Sequence, residues 1–526
     1  MKCDLALRRL EITADACQII ARKTRCSMTV LHDLNKLRAR GGERRTVGLT
    51  DDQLAPFADH PDLKRAVEQA LVAAETLDEA GYAGVDEADL VVRVQEDFVN
   101  FYDAASVNPY VALAAAGPWI VTAHGAVLHD SGGYGMLGAG HAPTDVLDTM
   151  SQPWVMANIM TPSVSQLRFT NALKREIGHT RPDGCPFARF LAMNSGSESV
   201  TVGMRISDIN AKEQSGDREV KFLVQAGAFH GRTDRPAQAS ASSLGRYKKL
   251  LHSFGDRNNL LAVPPNDVEA LEAAFERAAS DDTFIEMVLI EPVMGEGNPG
   301  LAMTRAFYDT ARRLTKAHGS LLLIDSIQAG LRTTGCLSIV DYPGFEDAEA
   351  PDMETYSKAM NAGQFPMSVL ALNERAAEVF KRGVYGNTMT ANPRGLEVAT
   401  TVLEGIDDAL RQNIRARGVE LVEKLRTLQE EFPELILSVQ GTGLLVSAEI
   451  DPSIEVVGFG GLEEHCRVHG MGIIHGGRNA LRFTPHFRLT SQEIDLMMDI
   501  LRDALRAFDL DRAVEVPQRE VVAAAR

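Results

Sequence analysis

Four short stretches of this sequence place reactive side chains directly after apolar runs. In Pro351-Asp352-Met353-Glu354-Thr355-Tyr356-Ser357-Lys358 a strand-like run ends on a lysine. Lysines seldom belong in buried sites, and one held where it can shed its proton can form an imine. The plainer reading is a surface lysine after a strand. Upstream, Leu321-Leu322-Leu323-Ile324-Asp325 puts a carboxylate at the end of a very apolar strand. A buried carboxylate is expensive without a partner; a protonated pyridinium nitrogen would serve, and capping of the next helix is the other use.

Two further stretches suit an anion and a flat ring. Asn194-Ser195-Gly196-Ser197-Glu198-Ser199 follows an apolar run and precedes a helical one. Small hydroxyl-bearing residues at a helix N-terminus offer backbone N–H groups and a favourable dipole to a phosphate, although they also make an ordinary N-cap. Ala228-Phe229-His230-Gly231-Arg232-Thr233 sets an aromatic beside a glycine turn, placed either to stack on a heterocycle or to fill a core. In sequence the four run phosphate loop, aromatic, strand-end aspartate and then a lysine 33 positions after that aspartate.

The elements that must position these residues follow from hydrophobic patterning. Phe190–Met193, Lys221–Gln225, Met287–Ile290 and Leu321–Ile324 are short apolar runs alternating with helical stretches, the pattern of an α/β fold with a largely parallel sheet. Ligands of such sheets gather at the carboxyl ends of the strands, where all four stretches fall. Residues 1–105 read as mainly helical, with Leu63–Ala74 and Leu90–Phe101 at helical spacing and Arg38–Gly48 as a loop. After Gly395 a long helical region runs through Phe432, strands follow over Leu435–Ala448, Ile494–Phe508 is a helix, and the last dozen residues read as a disordered tail.

Composition narrows the class. With 526 residues, 45% hydrophobic and 24% charged, the chain is globular and too long for one compact core. A net charge of −18 disfavours a nucleic-acid partner, which calls for a basic face. Six thinly spread cysteines (Cys3, Cys17, Cys26, Cys185, Cys336, Cys466) form no disulfide framework and fit a reducing, cytoplasmic setting. His465, Cys466 and His469 lack the further ligands that a metal needs. No run of roughly 18 apolar residues suggests a membrane span.

The ordered set of motifs from about Gly117 to Ile500 resembles the class III aminotransferases. Leu137–Pro143 is similar to the family's LGxxHP segment, Asn194–Glu198 to NSGSE, Ala228–Thr233 to FHGRT and Glu291–Gly297 to EPxxGEG. Asp325–Gly330 corresponds to DEVQTG, Thr388–Pro393 to TxxxNP and Arg482–Pro485 to RxxP. The resemblance implies pyridoxal 5′-phosphate (PLP) on fold type I, with a smaller α+β domain beside the large one. It divides the chain into a helical extension (1–105), the N-terminal part of the small domain (106–165), a PLP-binding large domain (166–395), the C-terminal small domain (396–512) and a tail (513–526).

It also implies roles. Lys358 carries the cofactor as a Schiff base and Asp325 pairs with its ring nitrogen. Ser195, Gly196 and Ser197 bind the phosphate, Phe229 stacks on the ring and Ile327 packs on its other face. Gln328 bonds the ring hydroxyl, with His230 and Glu291 also at the cofactor. Thr388 reaches the phosphate of a neighbouring subunit, implying a homodimer at least. Arg482 holds a substrate carboxylate and Glu296 pairs with it in members that also use ω-amines, while Arg232 matches the distal-carboxylate site of the lysine 6-aminotransferases, the nearest subfamily on these stretches. The substrates implied are an amine or ω-amino acid and a 2-oxo acid such as 2-oxoglutarate. The departures are Ser326 for the motif's glutamate, a bulkier Asn361–Pro366 after the lysine, His486 for a second proline, and the long N-terminal extension. An amino acid racemase or epimerase on the same fold is the alternative chemistry, and a non-catalytic binding protein a third reading.

Overall fold

A computed structural model describes residues 30–523 other than residue 256; of residues 511–523 only the helical backbone is described. Cys3, Cys17 and Cys26, and the side chains of the expected tail, lie outside the described residues. The described residues gather into two compact units, one within Gly132–Pro452 and Ile474–Ile494, the other within Met1–Ser131, Ser453–Ile473 and Asp495–Arg526.

The larger unit is built on a seven-stranded sheet. In chain order its strands are β1 (Arg189–Met193), β2 (Glu219–Gln225), β3 (Leu260–Val263), β4 (Thr283–Ile290), β5 (Leu321–Asp325), β6 (Met353–Tyr356) and β7 (Ser368–Leu372). They lie side by side in the order β1-β7-β6-β5-β4-β2-β3. Strands β2 to β6 are parallel, with Ile290 opposite Ile324 and Asp325 opposite Thr355. Every residue of β4, β5 and β6 is buried. A sheet covered on both faces demands that kind of near-continuous apolar strand, so the four expected runs emerge as strands within a few residues of their predicted bounds.

Strand β7 runs antiparallel to both β6 and β1. Reversing direction there folds residues 357–367 back over the carboxyl end of the sheet, where they become one wall of a cavity. Helix α1 (Gly196–Gln214) follows β1 and buries Val200, Val202, Met204 and Ile206 in a core shared with Phe222, Leu323, Met353 and Leu370. Burial of side chains of this size contributes about 1.5–3 kcal/mol each, which fixes the helix start and with it the loop before it.

The same unit holds a second, antiparallel sheet of β8 (Ile436–Thr442), β9 (Leu445–Ile450), β10 (Ile474–Gly476) and β11 (Ala480–Phe483), in the order β8-β9-β11-β10. The helical region expected through Phe432 is two helices, α2 (Pro393–Glu404) and α3 (Asp408–Glu431). Gly405 ends the first, and the Asp407 carboxylate caps the second by accepting from Leu410 N at 2.7 Å.

In the smaller unit a helix over Pro61–Glu79 packs on the strands Ala112–Ala116 and Trp119–Thr122. Trp119 is fully buried, its ring 4.9 Å from Phe57. The helix expected over Leu90–Phe101 spans Glu87–Gln95. Its continuation has apolar residues at helical spacing, yet Phe98 and Val99 are exposed, so no packing sustains a further turn. Among the described residues no helix is long and apolar enough to cross a membrane.

Candidate active site

A cavity of about 340 Å³ opens at the carboxyl ends of β1, β2, β4, β5 and β6. Its lining includes Ser195, Gly196, Ser197, Phe229, His230, Glu291, Asp325, Ile327, Gln328 and Lys358. Ten residues scattered between positions 195 and 358 thus converge, because each ends a strand or lies in the loop or first helical turn that follows one.

The anion-binding end is the start of α1. Ser195 is its N-cap, the hydroxyl accepting from Glu198 N at 3.3 Å, so the first-turn N–H groups point out of the helix beside the cavity. A Cβ at 196 would lie 2.6 Å from Ile327 Cδ1, so any larger residue displaces the Ile327 side chain toward the cavity. Gly231 (φ +124°) passes equally close to Ser197, whose hydroxyl accepts from Arg232 N at 3.2 Å.

The acidic end is centred on Asp325. One carboxylate oxygen lies 2.8 Å from His230 Nδ1, and the other accepts from Ile327 N at 3.2 Å. Both residues are buried, and His230 Nε2 has no hydrogen-bond partner among the described residues. Glu291 lies beneath, accepting from Phe229 N at 2.9 Å and Gly295 N at 2.8 Å. Burial pushes its carboxyl up to about 7, against the pull of His230.

Lys358 follows β6 with φ +48°, a left-handed conformation that a lysine adopts only when its surroundings enforce it. Burial pushes its ammonium down from 10.5 to about 8; Glu296 opposes this and Arg482 adds to it. A lysine of that acidity exchanges a proton near neutral pH, as a base or amine nucleophile must.

Arg482 on β11 pairs with Glu296 at 3.2 Å and donates to Gly295 O at 2.7 Å. Burial raises the Glu296 carboxyl, but Arg482 and Lys358 outweigh it and hold the group below its ordinary value. Gln328 joins the pair, donating to Glu296 Oε1 at 3.3 Å. Arg482 and Glu296 are adjacent to the cavity without being part of its lining. Arg232 is exposed, its guanidinium 5.9 Å from the Phe229 ring centroid. Thr388 is exposed and outside this chain's cavity, its carbonyl accepting from Asn158 Nδ2 at 3.1 Å.

Sequence reasoning missed the rim: Met136, Asn361, Gly363, Phe365, Pro366 and Met367 also line the cavity. The glycine cluster Gly132-Gly133-Tyr134-Gly135 before Met136 was a signal, since Tyr134 there has φ +49°. The departure at Ser326 also resolves. Its hydroxyl donates to Glu354 Oε1 at 2.6 Å, and Glu354 accepts further from Ser338 Oγ at 2.5 Å and Ile339 N at 2.9 Å. A buried carboxyl group is thus supplied to Ser326 from β6.

The residues fit PLP. A phosphate suits the α1 start, a ring nitrogen suits Asp325, an aldehyde suits Lys358, and a glycine keeps space beside Ile327. Comparison with known proteins agrees. The family model "Aminotransferase class-III" matches residues 101–505. An acetylornithine aminotransferase of Thermosynechococcus vestitus is 28% identical over 320 residues, covering 60% of this chain and 74% of that protein. One from Neisseria meningitidis is 28% identical over 387 residues, covering 72% and 89%. Among solved structures, an ornithine aminotransferase from Toxoplasma gondii superposes with a TM-score of 0.70 at 21% identity, covering 82% of this chain and 98% of its own.

Proposed function

As a member of the class III aminotransferases the chain is a PLP-dependent transaminase, and we propose that it takes the terminal amino group of an ω-amino acid of the ornithine–lysine class and passes it to a 2-oxo acid such as 2-oxoglutarate. The observation that carries the substrate class is the Arg482–Glu296 ion pair beside Lys358. Closed, the pair neutralises Arg482 and leaves room for an uncharged methylene chain bearing the ω-amine. Opened, it presents a planar guanidinium to the α-carboxylate of a 2-oxo acid. One site thereby serves both half-reactions. Family membership supports transamination over the racemase and non-catalytic alternatives.

PLP, when bound, supplies an aldehyde for the amine and a protonated ring that accepts the electrons left by a departing proton. The chain supplies the rest. Ser195, Gly196 and Ser197 bind the phosphate with N–H groups and hydroxyls. Asp325, oriented by His230, would hold the ring nitrogen, Phe229 and Ile327 would pack on the ring, and Gln328 would bond its hydroxyl. Lys358 Nζ, poised near neutral pH, takes the proton from the donor's amine-bearing carbon and would deliver it to the cofactor's former aldehyde carbon rather than back to the donor. Arg232 receives the distal carboxylate of longer donors.

Thr388 completes the phosphate site of a second copy in a dimer. Its exposure supports this, as does the neighbouring apolar surface, where Met156 is 87% exposed and Met160 82%, with Ile159, Val164 and Leu167 also exposed. An exposed apolar cluster of this kind marks a partner surface.

The test is a single half-reaction. PLP-loaded protein is mixed with ornithine, lysine, N-acetylornithine or simple α-amino acids, without acceptor, and pyridoxamine 5′-phosphate is measured. The proposal expects product from the ω-amino donors. Product from simple α-amino acids alone would overturn the substrate class.

A further inference from the structure

Glu198 sits at the third position of α1, and its carboxylate faces two ways. Glutamate at this position ordinarily reaches back to the N–H of the capping residue. Here Oε2 reaches one residue farther and accepts from Asn194 N at 2.8 Å, pinning the turn that lines the anion-binding end of the cavity. Its other oxygen accepts from Asn387 Nδ2 at 2.8 Å and from the Tyr385 hydroxyl. Tyr385 is further held by Arg205, whose guanidinium lies 5.6 Å from the ring centroid and donates to Val384 O at 2.6 Å. Thr388 follows Asn387, exposed and outside this chain's own cavity.

One half-buried carboxylate therefore joins two segments that are nearly 190 residues apart in sequence. Among the described residues, the Glu198 side chain bonds to both segments. We propose that Glu198 is a positioning residue that couples the phosphate end of this chain's cavity to segment 385–388, which this chain presents to the cavity of a second copy. The inference rests on the reading that Thr388 completes a neighbour's phosphate site. An anion seated on the α1 start orders residues 194–197. Glu198 hands that order to Tyr385 and Asn387, and so to Thr388. By reciprocity, filling either cavity of the dimer then raises the affinity of the other. The phenol stays protonated to donate throughout the working range, since burial and the Glu198 contact push Tyr385 up to about 12.

The experiment uses dimers assembled from two differently tagged full-length chains, one of them Lys358→Ala so that only its partner binds PLP covalently. The readout is the PLP dissociation constant of the competent chain, followed by its visible absorbance. Thr388→Ala placed in the Lys358→Ala chain tests the shared site: it raises that constant about tenfold, the loss of one hydrogen bond to a charged group. Glu198→Gln in the same chain, with Thr388 intact, raises it about fivefold or more, the range of inter-site coupling. A Glu198 that merely caps its own helix would weaken PLP only in the chain that carries the substitution, and that result overturns the inference. A silent Thr388→Ala in trans instead sinks the shared-site reading and the inference with it. Tyr385→Phe leaves the helix cap untouched and must show the same effect in trans, which keeps the test decisive if Glu198→Gln does not fold.

Discussion

Gly196→Ala is the substitution whose cost can be worked most directly from the structure. A Cβ at 196 would lie 2.6 Å from Ile327 Cδ1, 3.2 Å from Cγ1 and 3.3 Å from Cγ2, and only the first of these is an outright clash. Ile327 is half-buried at the cavity wall, so in the empty protein its side chain relieves the clash by turning into the cavity. The helix itself gains slightly from alanine. Binding PLP forces Ile327 back against the new methyl group, and overpacking of that kind costs about 1–3 kcal/mol. The PLP dissociation constant should therefore rise roughly 5- to 140-fold at tenfold per 1.4 kcal/mol, with the melting temperature of the PLP-free protein little changed. Adding Ile327→Val removes Cδ1 and leaves two contacts that are a few tenths of an ångström tight, so the double variant should recover part of the lost affinity. Titration of the four proteins with PLP, followed by absorbance, closes the cycle. Wild-type affinity in Gly196→Ala, or no recovery in the double variant, would refute the claim that the glycine exists to make room for Ile327 and the ring.

Three more outcomes follow from buried charges. Lys358 has a folded pKa of about 8 against an ordinary 10.5, so the unfolded chain binds more protons between those values and PLP-free stability gains from this residue as pH rises through that window. Lys358→Met removes the effect: its stability advantage over wild type, read by thermal melts, should be largest below pH 8 and shrink toward 10.5. Glu354 is the opposite case, raised by burial to about 7 despite hydrogen bonds from Ser326 and Ser338. The folded state then holds the extra proton between about 4.5 and 7 and wild type loses stability as pH rises across that range, so the melting temperature of Glu354→Gln relative to wild type should climb with pH there; a flat difference would show that Glu354 is already ionised. Arg411 makes a bidentate pair with Glu176, at 2.9 and 2.6 Å, both side chains buried. Arg411→Met strands the carboxylate and should cost about 3–5 kcal/mol, most of it regained in Arg411→Met with Glu176→Leu; equal melting temperatures for the single variant and wild type would deny the pair its role.

How much of this was legible in the sequence depended on whether the signal was local. Asp325, Lys358, Phe229 and the Asn194–Glu198 turn each end an apolar strand, so the residue that does the chemistry and the element that aims it lie within a few positions of one another. The fold class was legible for the same reason: strands buried on both faces must be apolar throughout. Strand β7 was not singled out, because nothing in Ser368–Leu372 distinguishes a strand that returns antiparallel from one that continues the parallel order. Missing that reversal also hid the rim residues of 357–367, whose presence at the cavity is a consequence of it. The helix predicted through Phe101 failed for the converse reason: spacing alone was right, but Phe98 and Val99 found nothing to pack against.

Ser326 carries the point furthest. Judged against the resemblance it was a departure at the residue next to the cofactor aspartate. In the folded chain its hydroxyl meets Glu354 on the neighbouring strand, and the carboxyl group absent from the position after β5 is present one strand over. A parallel sheet makes such exchanges possible, because residues thirty positions apart become neighbours at 4.7–4.9 Å spacing. The environment around Asp325 itself is a property of neighbouring strand ends, β2 through His230 and β4 through Glu291. A substitution at any one of them should be judged by the summed charge near Asp325 rather than by its own position in a motif. Glu354→Gln and Ser326→Glu are opposite perturbations of the one buried carboxyl group between β5 and β6. Combining them should restore thermal stability that Ser326→Glu alone, with two buried carboxyl groups forced together, loses.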